Sequence, residues 1–385
     1  MTRIMIVAGE ASGDLHGANL VRAAQALAPG LDFYGVGGRN LGAAGVELLY
    51  GLDYMALMGL TEVISGLGRA WEVMSALKKS LRRDRPAALV LIDYPDFNLF
   101  LARTAKREGV PVFYYICPQI WAWRTGRIRK MARLTDRRVV VFPFEVDFYR
   151  KYGVTAEFVG HPLLDVMPAP RPKPLVKAEL GFDPKKPLLL LLPGSRKQTA
   201  RLLLPVMTAC AGRLKKRFPA LQLALAQADT LDRSFLDPFL VRGGLDVAVL
   251  PHRSHLLQNA ADLALTVSGT STLETALMRT PMVVLYRMNP LTFFLGRLLV
   301  KVDHVAMPNL IAGRRAAPEL LQHDAVPDKI TPLLEELLTD PGVGEEMARS
   351  WDLVRERLGG PGAGRRAAEI LLAAAGLGNT SGTII

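Results

Sequence analysis

The sequence predicts an α/β protein of two doubly wound domains in tandem. Three observations carry this. Short, nearly unbroken apolar runs alternate with longer helical stretches; the runs are apolar at successive positions, as strands covered on both faces must be; and the pattern restarts after a Pro-rich segment at 161–174. In order, Ile4–Ala8, Asp32–Val36, Ala88–Ile92, Val112–Ile116, Val139–Phe142 and Ala156–Val159 read as strands, with helices over Asp14–Ala28 and Asn98–Glu108. The segment His161–Pro174 is too rich in proline to continue a helix or a sheet interior and reads as a linker. Beyond it, Pro187–Leu192, Gln222–Ala226, Asp246–Leu250, Leu263–Val267 and Met282–Leu285 read as strands and Leu202–Arg217 as a helix. The Leu/Ala/Arg/Glu-rich stretch Pro332–Leu377 is helical in pattern. The expected partition is 1–165, 166–355, a terminal helix at 356–378 and a frayed tail at 379–385.

Composition bounds the function. Lys and Arg number 48 against 36 Asp and Glu in 385 residues, a formal net charge of +12. The surplus favours an anionic partner: nucleic acid, a phosphorylated substrate or an acidic membrane surface. Two cysteines, Cys117 and Cys210, exclude a disulfide framework and a four-Cys zinc site, and fit reduced thiols in a cytosolic setting. No apolar run reaches the ~20 residues that span a bilayer. Met1–Ala8 runs directly into a polar turn, so a first strand is expected there rather than a signal peptide.

Four turns follow apolar strands and carry polar chemistry. Gly9-Glu10-Ala11-Ser12-Gly13-Asp14 is either a ligand-binding βα turn or an ordinary one with Asp14 as helix cap. In Ile92-Asp93-Tyr94-Pro95-Asp96-Phe97-Asn98, two carboxylates follow a dry strand; Asp93 suits general-base work, and Asp96 suits capping or support. Pro193-Gly194-Ser195-Arg196 is a candidate phosphate seat without P-loop spacing. Ser268-Gly269-Thr270-Ser271-Thr272-Leu273-Glu274 offers four hydroxyls and helix-start amides to a diphosphate, with Glu274 for ribose hydroxyls; a capping box built from Ser271 or Thr272 and Glu274 is the plain alternative. The six histidines form no metal motif, and His252 and His255 read as a solvated or capping pair. From Met55 to Leu77, apolar residues including Leu60, Val63, Ile64, Leu67 and Trp71 precede Lys78, Lys79, Arg82, Arg83 and Arg85, a pattern that fits either an interfacial helix or a core helix with a basic end. Leu291–Val300 is similar. The aromatic and basic run Trp121-Ala122-Trp123-Arg124 with Arg127 comes with no recognised nucleic-acid module, so phosphate on a smaller ligand is the better reading.

Taken together, VAGEASGD (7–14), MGLTEV (58–63), IDYPDFN (92–98), ICPQIWAWR (116–124), FPFE (142–145), FVGHPLLD (158–165), LLPGSR (191–196), SGTSTLE (268–274), PMVVLYRM (281–288) and PNLIAG (308–313) resemble the lipid-A-disaccharide synthases, glycosyltransferases of lipopolysaccharide biosynthesis. The resemblance implies a GT-B fold, two Rossmann-like domains facing across a cleft, the first (1–165) holding the acceptor and the second (166–355) the UDP-sugar, with a terminal helix returning to the first domain. It implies inverting transfer from UDP-2,3-diacylglucosamine to 2,3-diacylglucosamine 1-phosphate (lipid X), giving a β-1,6 disaccharide 1-phosphate and UDP. No cofactor, metal or nucleic acid is implied. Asp93 is then the general base and Glu10 a second essential carboxylate. Ser12, Gly13, Ser195, Arg196, Ser268, Gly269, Thr270, Glu274 and Asn309 are expected at the substrate and UDP sites. Acylated substrates imply a peripheral enzyme on the anionic cytoplasmic face of the inner membrane, touched through Leu60, Val63, Ile64, Leu67 and Trp71. A second copy of the chain is carried as a further candidate partner. The family often has an acidic residue shortly after PGSR; here the chain reads Lys197-Gln198-Thr199-Ala200-Arg201, with the extra charge expected to serve the anionic ligand. The rivals are another GT-B enzyme, such as a different UDP-GlcNAc transferase or an epimerase, and a non-catalytic nucleotide-sugar or lipid-binding protein.

Overall fold

The computed structural model describes residues 2–52, 54, 63–123, 125–288 and 304–377. The chain divides into two compact units, 1–165 with 358–385, and 166–357. In unit 1 the strands are β1 (Thr2–Ala8), β2 (Leu31–Gly37), β3 (Glu47–Gly51), β4 (Ala88–Ile92), β5 (Val112–Tyr115), β6 (Arg137–Val140) and β7 (Glu157–Phe158). Its helices up to residue 165 are α1 (Ala11–Leu27), α2 (Arg39–Ala43), α3 (Val63–Asp84), α4 (Pro95–Arg107), α5 (Ile120–Trp123), α6 (Ile128–Leu134) and α7 (Pro143–Lys151). Unit 2 holds β8 (Leu188–Leu192), β9 (Gln222–Gln227), β10 (Ala248–Pro251), β11 (Leu263–Val267), β12 (Met282–Tyr286) and β13 (Glu319–Leu321). Its helices are α8 (Lys173–Glu179), α9 (Lys197–Arg217), α10 (Arg233–Gly243), α11 (Ser254–Ala260), α12 (Thr270–Leu277), α13 (Met307–Ala312), α14 (Pro327–Thr339) and α15 (Pro341–Arg357). The terminal helix α16 (Ala363–Ala374) belongs to unit 1.

Both sheets are parallel and wound alike. Their orders are β3-β2-β1-β4-β5-β6-β7 and β10-β9-β8-β11-β12-β13. In each, the chain steps outward over three strands, then returns to the other side of the first. The switch points therefore lie between β1 and β4, where Ala8 pairs with Ile92, and between β8 and β11, where Leu192 pairs with Thr266. The apolar runs are strands because both faces need burying. In β4, Leu89 and Leu91 join the core under α3 and α4, while Ala88, Val90 and Ile92 join the core under α1 and α16. Each fully buried aliphatic chain contributes about 1.5–3 kcal/mol, an upper bound against a compact unfolded chain.

Glycines set the approach of α1 to the sheet. A Cβ on Gly13 would meet Ile92 Cγ2 at 3.3 Å, and one on Gly17 would meet Ile92 Cδ1 at 2.8 Å. The small face of α16, Ala363, Gly364, Ala367 and Ala368, packs on α1. Its start is capped from a distance: Asp165 accepts from the amides of Gly362 at 2.6 Å, Ala363 at 3.3 Å and Gly364 at 2.9 Å, which helix geometry leaves unpaired.

The structure departs from the sequence reading at edges and starts. Strands β3 and β13 were not anticipated: β3 is a partly exposed edge, and β13 has three residues, too short for periodicity to register. Helices α1, α4 and α9 begin earlier than their apolar patterns, because first turns are polar; α4 opens on Pro95, suited to a first helical position. The long helical stretch from 332 onward is three helices, and the last begins at Ala363, since α15 runs to Arg357 within unit 2. The tail at 379–385 lies outside the described residues.

Candidate active site

In open α/β sheets, ligands bind outside the carboxyl ends of the strands at the switch point. In unit 1 that place is occupied by Glu10, two residues past β1, and Asp93, one past β4. Asp93 and Tyr94 are both left-handed, with φ of 44° and 47°. For residues with side chains this costs roughly 1–2 kcal/mol each. The cost is offset locally. Asn98 Nδ2 donates to the Asp93 carbonyl at 2.7 Å and to that of Ile92 at 3.2 Å, and the Tyr114 hydroxyl donates to the Asp93 carbonyl at 2.6 Å. The Tyr94 ring lies against Gly9, where a Cβ would stand 2.4 Å from Tyr94 Cγ. Burial, and next the charge of Glu10, push the Asp93 carboxyl up to about 6, against the Tyr94 amide that holds it down.

The neighbouring motif residues serve the fold. Asp14 caps not its own helix but α2, accepting from the amides of Gly38 (2.6 Å), Asn40 (3.0 Å) and Leu41 (3.1 Å) and from Asn40 Nδ2 (2.9 Å). Gly13, expected at the substrate site, is buried against Ile92 and serves close packing; Ser12 is exposed. Asp96 lies inside the first turn of α4, where Tyr94 is the cap residue, and pairs with Arg127.

In unit 2, Ser195 and Arg196 follow β8, and Ser268-Gly269-Thr270 follow β11. The turns touch: Gly194 has φ +82°, and a Cβ there would meet Val267 Cγ2 at 2.7 Å. Arg196 is exposed at the start of α9, and its charge acts on the half-buried Tyr286 hydroxyl, whose pKa burial raises and Arg196 lowers. Gly269 and Thr270 are exposed at the start of α12, whose first amides helix geometry leaves unpaired. The hydroxyls are fewer than expected. Ser271 bonds Thr266 Oγ1 at 3.2 Å, Thr272 donates to the Gly269 carbonyl at 2.7 Å, and Ser268 donates to the Val305 carbonyl at 3.1 Å.

Glu274 forms no capping box; it accepts from Gln258 Nε2 at 3.2 Å and lies 3.8 Å from His255 Nε2. His252 pairs separately with Asp229 at 2.9 Å, so the two histidines do not act as a pair. Asn309, expected at the site, is fully buried. Its Nδ2 donates to Glu319 Oε1 (2.7 Å) and the Ala317 carbonyl (2.9 Å), and its Oδ1 accepts from the amides of Ala316 (2.9 Å) and Ala317 (2.8 Å). It braces the loop that bonds Ser268 rather than offering its amide to a ligand. Lys197 pairs with Asp232 at 3.2 Å and Arg201 lies over the Phe235 ring, so the charge after PGSR is engaged within the unit. A cavity of about 340 Å³ opens past the start of α9, between Gln198, Arg201, Leu202, Arg287, Met288 and His323. Among the described residues no group of His, Cys, Asp or Glu is placed to hold a metal ion.

On α3 the expected apolar set divides. Met74 and Leu77 are core, whereas Trp71 is 69% exposed, with Lys78 over its ring at 5.9 Å. Ser75, Lys78, Lys79, Arg82 and Arg83 line an open cationic cleft. Leu60, the side chains of Val63, Ile64 and Leu67, and the stretch Leu291–Val300 lie outside the described residues. No described helix is long and apolar enough to cross a membrane. Sequence reasoning missed Tyr114, Asn98, His255 and Gln258. The last two were detectable as a His-x-x-Gln pair on one helix face, and Asn98 as the end of the IDYPDFN motif; nothing local marked Tyr114.

A family model described as lipid-A-disaccharide synthetase matches residues 4–355. The chain is 45% identical over 370 residues to a lipid-A-disaccharide synthase of Geobacter sulfurreducens, covering 96% of each. Among solved structures it is similar to S. aureus MnaA with UDP (TM-score 0.68, 14% identity, 98% of each chain) and to Acinetobacter baumannii MurG (TM-score 0.60, 13% identity, 97% of this chain and 99% of that one). These last two show the fold, which is GT-B.

Replacing Glu10 by Gln should lower the Asp93 pKa from about 6 but leave it above the ordinary carboxylate value, because burial is the larger cause. Carbon-detected NMR titration of Asp93 checks this; an unchanged value would separate the two carboxylates.

Proposed function

The chain belongs to the lipid-A-disaccharide synthase family, and on that premise we propose that Asp93 is its general base and that Arg196 with the amides at Gly269–Thr270 receives the departing diphosphate. The activity is that of a lipid-A-disaccharide synthase, a glycosyl transfer in lipid A biosynthesis. The family implies UDP-2,3-diacylglucosamine as donor and lipid X as acceptor.

As the acceptor 6-oxygen bonds the anomeric carbon, its proton passes to Asp93. The bond from that carbon to the diphosphate oxygen breaks, and UDP leaves with the electron pair. Attack from the face opposite UDP inverts the centre to the β-linkage. A sugar hydroxyl is a weak nucleophile, and a base within hydrogen-bond reach is typically worth ~10²–10⁴ in rate. A pKa of about 6 leaves Asp93 mostly ionised at neutral pH while keeping it a stronger base than an ordinary carboxylate. Glu10 maintains that basicity through its charge. Arg196 and the first amides of α12 offer positive potential where charge develops, each donor typically worth ~2.7–4 kcal/mol. Glu274, steadied by Gln258 and His255, is the candidate ribose ligand. The observation that carries this reading is the strained, clamped turn at Asp93: a pure binding protein for anionic ligands gains nothing from a half-buried carboxylate there.

Both substrates carry acyl chains, so the enzyme must work at a membrane surface. The exposed Trp71 beside a cationic cleft supports peripheral contact of α3 with an anionic leaflet.

Asp93→Asn should keep the fold and lower UDP release with lipid X by roughly 10²–10⁴-fold. In the wild type kcat/KM should fall as pH drops through about 6, because the protonated carboxyl cannot accept. Near-normal turnover of the variant would remove Asp93 as base. Trp71→Glu should weaken binding to anionic vesicles roughly tenfold, the loss of about 1.4 kcal/mol of apolar burial. Sedimentation with vesicles measures it, and undiminished binding would make α3 an ordinary covering helix.

A further inference from the structure

Past β5 and β6 in unit 1 lies a buried carboxylate that the reaction above does not use. Glu145, on the first turn of α7, is 1% exposed. Its Oε2 accepts from the amides of Val141 at 3.2 Å and Phe142 at 3.0 Å, and its Oε1 accepts from the indole Nε1 of Trp121 at 3.1 Å. Burial pushes the carboxyl up to about 7 despite these three donors. Taking a carboxylate out of water is costly unless its partners satisfy it. The two amides account for closing the turn before α7. The third bond reaches across to α5 and does something else: it fixes the angle of an aromatic ring.

That ring is one rung of a ladder. The Trp121 ring packs edge-on against Phe144, with centroids 5.0 Å apart and planes at 90°. Phe144 stacks on Phe142 at 5.5 Å with planes 5° apart, and Phe142 lies 5.2 Å from the His161 ring. Phe142 and His161 are buried, whereas Trp121 and Phe144 are partly exposed. The ladder thus has a dry end anchored in the core and an open end.

The open end stands on the catalytic edge of the sheet. Asp93 follows β4, Trp121 lies beyond β5 and Phe144 beyond β6, and these strands are consecutive neighbours. Strands ~4.8 Å apart put the end of β6 roughly 10 Å along the edge from the end of β4. Two bonds tie the segments together: the Tyr114 hydroxyl at the end of β5 to the Asp93 carbonyl, and Arg127, just before α6, to Asp96.

We propose that the Trp121 indole, braced at right angles by Phe144, forms the platform on which the acceptor's sugar ring rests, and that Glu145 is a positioning residue that holds the indole at the angle this requires. An aromatic face offers apolar surface to the C–H face of a pyranose, and a tethered indole offers it at a fixed tilt. The proposal rests on the reading that unit 1 takes the acceptor.

The test is steady-state UDP release by the full chain, varying lipid X, a short-chain acceptor homologue and donor in turn, with UDP affinity measured separately. Wild-type turnover comes first; its absence would overturn the assigned activity, and the platform with it. Given turnover, Trp121→Ala should raise acceptor KM about tenfold, with donor KM and UDP affinity unchanged. Glu145→Gln and Trp121→Phe, which removes the N–H but keeps a ring, should raise acceptor KM by less and in the same selective way. The penalty should be the same for lipid X and its short-chain homologue. Unchanged acceptor KM in Trp121→Ala would overturn the proposal, as would a penalty that disappears with the short-chain acceptor, since the platform would then serve an acyl chain. Should Glu145→Gln melt early or lose UDP binding, the Trp121 variants decide alone.

Discussion

Two successive residues with full side chains, Asp93 and Tyr94, occupy left-handed backbone where β4 ends, and much of the surrounding sequence makes sense as the means of keeping them there. Gly9 must lack a Cβ because the Tyr94 ring takes its place. Asn98 spends its amide group, and Tyr114 its buried hydroxyl, on the carbonyl that the unusual turn leaves exposed. Strain of this kind persists only where neighbours over-determine it, and it concentrates where a side chain must be aimed. What the turn delivers is a carboxylate shielded enough from water to be basic and beside a second negative charge.

The scaffold supplies the precision. Strands β1, β4, β8 and β11 are almost wholly buried, and the turns at their carboxyl ends inherit that rigidity. The two units repeat one device: a pair of central strands diverges at a switch point, and the loops beyond carry the polar groups. What differs is the charge installed there. Unit 1 places two carboxylates, and unit 2 places an arginine and exposed helix-start amides. A proton acceptor and a receiver for a leaving anion are what glycosyl transfer from a diphosphate needs, and their separate placement lets each environment favour its own sign of charge.

The α/β character and the parallel sheets were legible because buried strands such as Ala88–Ile92 and Leu188–Leu192 are apolar at every position. The edge strands β3 and β13 were not, since half-exposed or three-residue strands leave no such trace. At the site, the positions of Asp93 and Arg196 just past such strands could be read directly. The employment of Asp14, Asn309, Ser271 and Thr272 could not. A side chain that binds a ligand and one that braces a loop use the same polar atoms, and only the fold reveals that Asn309 meets Glu319 or that Asp14 meets Gly38. Tyr114 was invisible for another reason: within an apolar strand its ring reads as core, and its hydroxyl acts on a residue 21 positions away.

Because the base is held in place through its own backbone, the most direct measurement is the single-turnover rate of Tyr114→Phe with both substrates saturating. The substitution leaves the ring in the core and removes one hydrogen bond, 2.6 Å long, to the Asp93 carbonyl. The expected rate is at least about tenfold below wild type, the equivalent of ~1.4 kcal/mol of lost positioning, with UDP affinity intact. A wild-type rate would contradict it, showing that Asp93 reaches its position without the clamp.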